Sequence, residues 1–216
     1  MDSLGLIAAF RTDVDDNAVP QLWSDASVAE YADDAQKMFC RLTNGISDST
    51  SDLCSIDIEI GEPFADLDKR ILKVRRMQRA SDSRPIILVN FEDLDSCGLR
   101  LDATRGTVGN AVLGMDENKV RWSRVPAVAD VAQLTVYRMP LRAITVAKTQ
   151  LEIAEQHHRA LLLWMKYLAY SRQDSDVYDP RAAAANEQKF RAYCMDAKFE
   201  QDRARSKVRV VRYGGI

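Results

Sequence analysis

The sequence predicts an α+β protein. N- and C-terminal helices form an antiparallel helical bundle, a small antiparallel β-domain is inserted between them, and an extended tail closes the chain. Three observations predict this. Apolar residues recur at helical spacing over 24–43 and again beyond residue 151. Between those stretches the hydrophobic period falls to two. The last eleven residues, SKVRVVRYGGI, interleave valine with lysine or arginine and end on two glycines and Ile216. The parts divide as 1–50, the N-terminal helical part; 51–140, the inserted β-domain; 141–205, the helices completing the bundle; and 206–216, the basic tail.

Leu4 to Phe10 reads as a short helix or strand that docks separately. The first strong helix covers 24–43. Ser24 or Asp25 can cap its orphan amides, and Val28, Tyr31, Ala35, Met38, Phe39 and Leu42 share a face opposite Glu30, Asp33, Asp34 and Lys37. Asn44-Gly45 ends it, because either residue tolerates the left-handed conformation of a helix stop. CSIDIEIG then places Cys54, Ile56, Ile58 and Ile60 on one side of a strand ended by Gly61. ILKVRRMQ and PIILVN are further strands, and NFEDLDS is one helical turn capped by Asn90. Residues 102–118 form a long loop or irregular hairpin. KVRWSRVP and AQLTVYRMP complete a β-domain of about five strands.

Helix returns after Pro140. From Leu151 to Tyr170 the positions Ile153, Ala160, Leu161, Trp164, Met165 and Leu168 make a wide stripe. Asp179-Pro180 supplies a cap followed by proline at the first helical position. Ala183, Ala184, Phe190, Cys194 and Ala197 line the helix that follows. Tyr31, Phe39, Leu161, Trp164, Leu168 and Phe190 are the expected bundle core.

Composition narrows the function. With 46% apolar residues in 216, the chain can bury a substantial core. A net charge of −2 gives no global field for nucleic acid or anionic lipid. The charge is uneven, however. Arg203, Arg205, Lys207, Arg209 and Arg212 follow one another with no acid among them, whereas Asp13 to Asp34 leans acidic. No run approaches a membrane span, and the start lacks the basic region of a signal peptide, so a protein made and kept in a cytoplasm is expected. Cys40, Cys54, Cys97 and Cys194 have no zinc-knuckle spacing and are read as reduced thiols.

No catalytic constellation is apparent, and the expectation is a non-enzyme with no metal and no cofactor. Adjacent His157 and His158 point about 100° apart on a helix and cannot share a metal from one face. One is expected inward and one toward solvent. DVDDN, Asp13 to Asn17, lacks the glycine and distal glutamate of a calcium loop and reads as a solvated acidic turn. The Gly106 and Gly109 pair has no strand-to-helix context for a phosphate cradle. Trp164 and Tyr167 read as core and groove filler. The tail remains: an alternating basic, β-prone segment adds to a sheet edge or lies in a groove with acidic rims.

The order of these parts resembles the head-to-tail connector adaptor family of tailed bacteriophages. LWSDASVAEYADDAQKMFCR resembles the family's opening helix through Trp23, Ser24, Asp25, Tyr31 and Ala35. IDIEIGEPFADLDKRILKVRRM resembles the next strands, and VRWSRVP and LTVYRMP those after, the last ending at Arg138 to Pro140. LEIAEQHHRALLLWMKYLAYSRQDSDVYDPRAAAANEQKF resembles the closing helix pair through Leu151, Glu152, Ile153, His157 or His158, Leu161, Ala169, Tyr170, Asp174, Ala184 and Phe190. The loop at 102–118 and Pro63-Phe64 depart from the pattern.

The resemblance implies a structural virion protein of the phage neck: a homo-oligomeric ring of twelve copies that docks under the portal protein. Such a ring extends the DNA channel, with DNA passing in transient proximity, and presents the attachment surface for a tail, stopper or nozzle protein. It implies assembly in the host bacterial cytoplasm and no membrane. It also implies that Lys207, Val208, Arg209, Val210, Val211, Arg212, Tyr213, Gly214, Gly215 and Ile216 bind the portal. A tail terminator or gatekeeper ring is the alternative, and a nucleic-acid-binding regulator using the same arginines a more distant one.

Overall fold

The structure, a computed structural model, describes residues 1–101, 103–173 and 177–205. The expected portal-binding tail therefore lies outside the described residues. Helices and a mixed sheet make the protein α+β. It has two compact units: Met1–Asn44 with the chain described from Arg142 onward, and Gly45–Leu141.

The first unit holds four helices. α1 (Ser3–Asp13) starts where the Asp2 carboxylate accepts the Gly5 amide at 2.8 Å, and it buries Leu6, Ile7 and Phe10. α2 (Asp25–Leu42) starts at Ser24, whose hydroxyl accepts the Ser27 amide at 3.1 Å. Its buried face is Val28, Ala29, Ala32, Ala35, Phe39 and Cys40. α3 (His158–Tyr170) packs on α2 and on α1, and α4 (Pro180–Arg205) packs on α3 and α2. The Asp179 carboxylate accepts both the Arg181 and Ala182 amides at 3.0 Å, with Pro180 at the first helical position.

Several expectations are corrected here. The third helix does not run from Leu151. Residues 147–150 are held against the chain start, where the Ser3 amide donates to Thr149 O at 2.9 Å and the Thr149 amide to Ser3 Oγ at 2.8 Å. A short 3-10 turn, Glu155–His157, intervenes before α3. Both histidines are consequently buried, at 5% exposure each, because His157 belongs to the turn and not to the helix that would have turned it outward. Asp16 is not solvated either. It is 2% exposed and receives the Arg11 guanidinium at 2.6 Å and the Leu22 amide at 2.7 Å. Ala184 is exposed, since α4 is already turned inward at Ala183.

The second unit is built from ten short strands: β1 (Ile46–Asp48), β2 (Ser55–Ile58), β3 (Phe64–Asp66), β4 (Ile71–Arg79), β5 (Pro85–Asn90), β6 (Arg105–Gly106), β7 (Asn110–Leu113), β8 (Lys119–Trp122), β9 (Val125–Pro126) and β10 (Asp130–Arg138). The main sheet runs β1-β10-β4-β5-β7-β8-β3, with β2 also pairing β10, and β6 pairs β9 separately. Ile56, Ile58, Val74, Met77, Ile86, Val120, Trp122, Leu134 and Val136 form its core.

The sheet is mixed, not purely antiparallel. β5 pairs β7 in parallel, Ile87 opposite Asn110 through Asn90 opposite Leu113, and β6 pairs β9 in parallel. The chain between β5 and β7 is long enough for a crossover that returns the strand in the same direction. Period-two patterning carries no record of that direction. Ile60 is 57% exposed rather than buried beside Ile58, because β2 ends at Ile58 and Gly61, at φ 84°, turns the chain. Asn90 precedes the 3-10 turn Phe91–Asp93 as expected, but its side-chain amide donates to the Asp93 carboxylate at 3.1 Å instead of capping the backbone.

Candidate functional site

α4 closes the described residues, so the contacts that hold its last turns are the described part of the candidate site. α4 has 26 residues and α3 has 13. At about 1.5 Å per residue the longer helix extends some 20 Å more than its neighbour. Phe190, Cys194 and Ala197, at 0%, 1% and 3% exposure, make its inward face. No residue of α4 beyond Ala197 is buried among those whose side chains are described.

Trp164 anchors the α3 side of this packing. Its ring lies 5.2 Å from Phe190 and 4.7 Å from Tyr167, centroid to centroid. Its indole N–H donates to Asp34 Oδ2 at 2.7 Å, an arrangement that satisfies the one polar atom of a buried tryptophan. Phe39, Leu161, Trp164 and Phe190 are buried. Tyr31 and Leu168 are half-buried and belong to the rim, not the core.

A histidine clasp sits further along α4. His157 Nδ1 is 2.9 Å from the Tyr193 hydroxyl, its ring packs 4.9 Å from Phe39, and its Nε2 is 3.2 Å from the Gln156 amide. Burial pushes the His157 pKa below its ordinary value, against the opposing charge of Glu200 and with the help of His158. Burial raises the Tyr193 hydroxyl and takes the Cys194 thiol up to about 12, so that thiol stays neutral and unreactive. His158 Nε2 faces Ile153 O at 2.7 Å. Among the described residues, no group of three or more histidine, cysteine or acidic side chains could hold a metal ion.

The last two turns of α4 are held by Asn44. Its amide donates to Gln201 Oε1 at 3.3 Å, and its side-chain nitrogen donates to Asp202 Oδ1 at 2.8 Å. The residue read only as a helix stop for α2 thus also holds the described end of α4. Sequence reasoning missed this contact, along with Asp34 and the Arg11–Asp16 pair. The first two join residues far apart in the chain, and Arg11 and Asp16, five residues apart, meet across a turn that no local pattern marks.

Among known families, the model described as SU10 adaptor protein matches residues 1–212. No curated protein matches the chain.

Proposed function

We propose that this chain, which belongs to the SU10 adaptor protein family, is the subunit of a phage neck ring that docks under the portal and carries the tail below it. A structural adaptor role for the chain follows from the family. The finer reading is a ring of twelve copies that extends the DNA channel, with Lys207 to Ile216 anchoring each copy in the portal. The match across nearly the whole chain carries it. The tethering of α4 by Asn44 supports it, since a tail leaving from a fixed helix end reaches its partner at lower entropic cost. Repeated anchors in one ring add avidity even where each is weak. The ring is assembled in the host cytoplasm and resides in the virion neck. Its polar and acidic loops line the lumen, where they limit adhesion of DNA.

The test is native mass spectrometry of the protein mixed with the portal ring encoded beside it. Growth of the portal by about twelve copies is expected for the full chain. A chain ending at Arg205 is expected to fold normally and to lose portal binding. Equal binding by the shortened chain overturns the anchor assignment. A free ring of six copies with no portal affinity moves the protein to the terminator reading.

A further inference from the structure

The chain after β6 carries Gly106 and Gly109, the pair without the strand-to-helix setting of a phosphate cradle. It lines a cavity all the same. Val108, at 4% exposure, is drawn into the core of the β unit, which leaves Thr107 and Gly109 at the surface on either side of it. The Ile87 amide donates to Gly109 O at 2.9 Å and ties this loop to β5. β7 and β8 pair with Ala111 opposite Trp122, so the next residues out, Asn110 and Ser123, meet at the end of the hairpin, where the Ser123 amide donates to Asn110 O at 3.1 Å. Together with Arg100 and Arg124, these residues surround an open cavity of about 420 Å³. A cavity of that size admits a small ligand. Among the described residues, no carboxylate lines it.

We propose that this cavity binds a phosphate group. Ser123 is 4% exposed, yet its hydroxyl has no hydrogen-bond partner among the described residues. A hydroxyl buried in a cavity wall and left unpaired is accounted for by a ligand that accepts from it. Arg100 and Arg124 also lack an ion pair among the described residues, whereas Arg70, Arg79 and Arg138 of the same unit each meet a carboxylate. Gly106 makes room for one of the two: a Cβ there would stand 3.1 Å from Arg124 Cδ and 3.5 Å from Arg124 Nη1. A Cβ at Gly109 would meet nothing within 4 Å, so that glycine leaves the cavity open. Two guanidiniums, the Ser123 and Thr107 hydroxyls and the Asn110 amide outnumber the two oxygens of a carboxylate, and a phosphate offers more acceptor oxygens. Arginine also suits phosphate by its planar fork of donors. Small phosphate-bearing molecules and the nucleic-acid backbone both present this chemistry. The proposal goes beyond the neck-ring reading and does not depend on it.

Pyrophosphate and a short DNA duplex are the probes, each titrated into the full chain by calorimetry at fixed ionic strength. The variants are Arg100→Ala, Arg124→Ala and Ser123→Ala, with Lys73→Ala, an exposed cation of β4, as the control. At least one probe is expected to saturate at one site per chain. Each arginine variant is expected to weaken that binding about tenfold and Ser123→Ala severalfold, with unchanged circular dichroism. Gly106→Ala, which pushes against the Arg124 side chain, is expected to weaken it as well, and it takes the place of Ser123→Ala should that variant misfold. Binding of pyrophosphate alone assigns the cavity to a small phosphate-bearing ligand. Binding of the duplex that Arg124→Ala weakens assigns it to a nucleic-acid backbone. Either result supports the proposal. No saturation by either probe at millimolar concentration overturns it. So does binding that the arginine variants leave unchanged, or that Lys73→Ala weakens as much as they do, which would mark a general attraction to basic surface.

Discussion

Trp164 on α3 donates its indole N–H to Asp34 on α2 at 2.7 Å, and the same ring packs on Phe190 of α4. One side chain therefore links three helices, through an apolar face and one polar atom. Trp164→Ala is expected to destabilise the protein by about 3–5 kcal/mol, since a buried aromatic is lost. Trp164→Phe keeps most of the packing and removes the donor. Combined with Asp34→Ala in a double-mutant cycle, it should show a coupling of about 1 kcal/mol. Urea denaturation midpoints check both, and a coupling near zero would mean that the bond adds nothing to stability.

Arg11 and Asp16 form an ion pair in which both side chains are almost fully buried, at 7% and 2% exposure. Arg11 also donates to Trp23 O at 3.0 Å and to the Asp25 carboxylate, so it closes the turn between α1 and α2. Arg11→Met leaves Asp16 buried without its cation and should cost about 3–5 kcal/mol. Arg11→Met with Asp16→Asn should recover part of that loss, because the uncompensated charge is gone. A thermal scan of both variants tests the claim; no recovery in the double variant would point to lost packing instead.

The Trp164–Asp34 pair marks where reading the sequence stopped. Local signals were legible because neighbouring residues carry them: Ser24 before α2, Asp179-Pro180 before α4, and alternation in β2 and β10. Long-range partners were not. Asp33 and Asp34 fall on the polar side of α2 in the helical pattern. Yet Asp33 accepts the Ile144 amide at 2.9 Å and Asp34 the Trp164 indole, because the returning chain and α3 lie over that side. The parallel pairing of β5 and β7 was hidden for a similar reason, as strand direction is set by the length and path of the crossover. Of the candidate site, the sequence displayed the basic tail. Asn44 took on meaning only through its bonds to Gln201 and Asp202 near the end of α4.

His157 gives the first unit a pH dependence whose direction is fixed by burial. In the unfolded chain the ring takes up a proton as pH falls through about 6.5. In the folded protein burial depresses the pKa, so the unfolded state binds more protons between the two values, and stability rises with pH across that window. The contribution is complete above about 6.5 and is lost as pH drops toward the folded pKa. Melting temperature should therefore fall between pH 7 and pH 5, and His157→Gln should flatten that decline. An identical slope in wild type and variant would assign the dependence to other groups.

Gly45 opens the β unit in a conformation that a side chain cannot share. Its φ is +70°, and a Cβ there would lie 2.7 Å from Arg138 O and 2.8 Å from Leu72 Cδ1. Arg138 is itself fixed. It pairs with the buried Asp48 carboxylate, which burial alone would make harder to ionise. Hydrogen bonds from Ser51, Thr50 and Arg138 instead hold it well below the usual carboxylate range. The backbone oxygen facing Gly45 thus belongs to a β1–β10 pairing, Ile46 opposite Arg138, that has little room to shift. Gly114 makes the control: its φ is +83°, but a Cβ there would meet nothing within 4 Å. Gly114→Ala should cost about 1–2 kcal/mol from handedness alone. Gly45→Ala should cost more, because the same handedness is joined by a clash with backbone. Equal denaturation midpoints for the two variants would show that the β1–β10 edge yields, and that the close approach at Gly45 is not what requires the glycine.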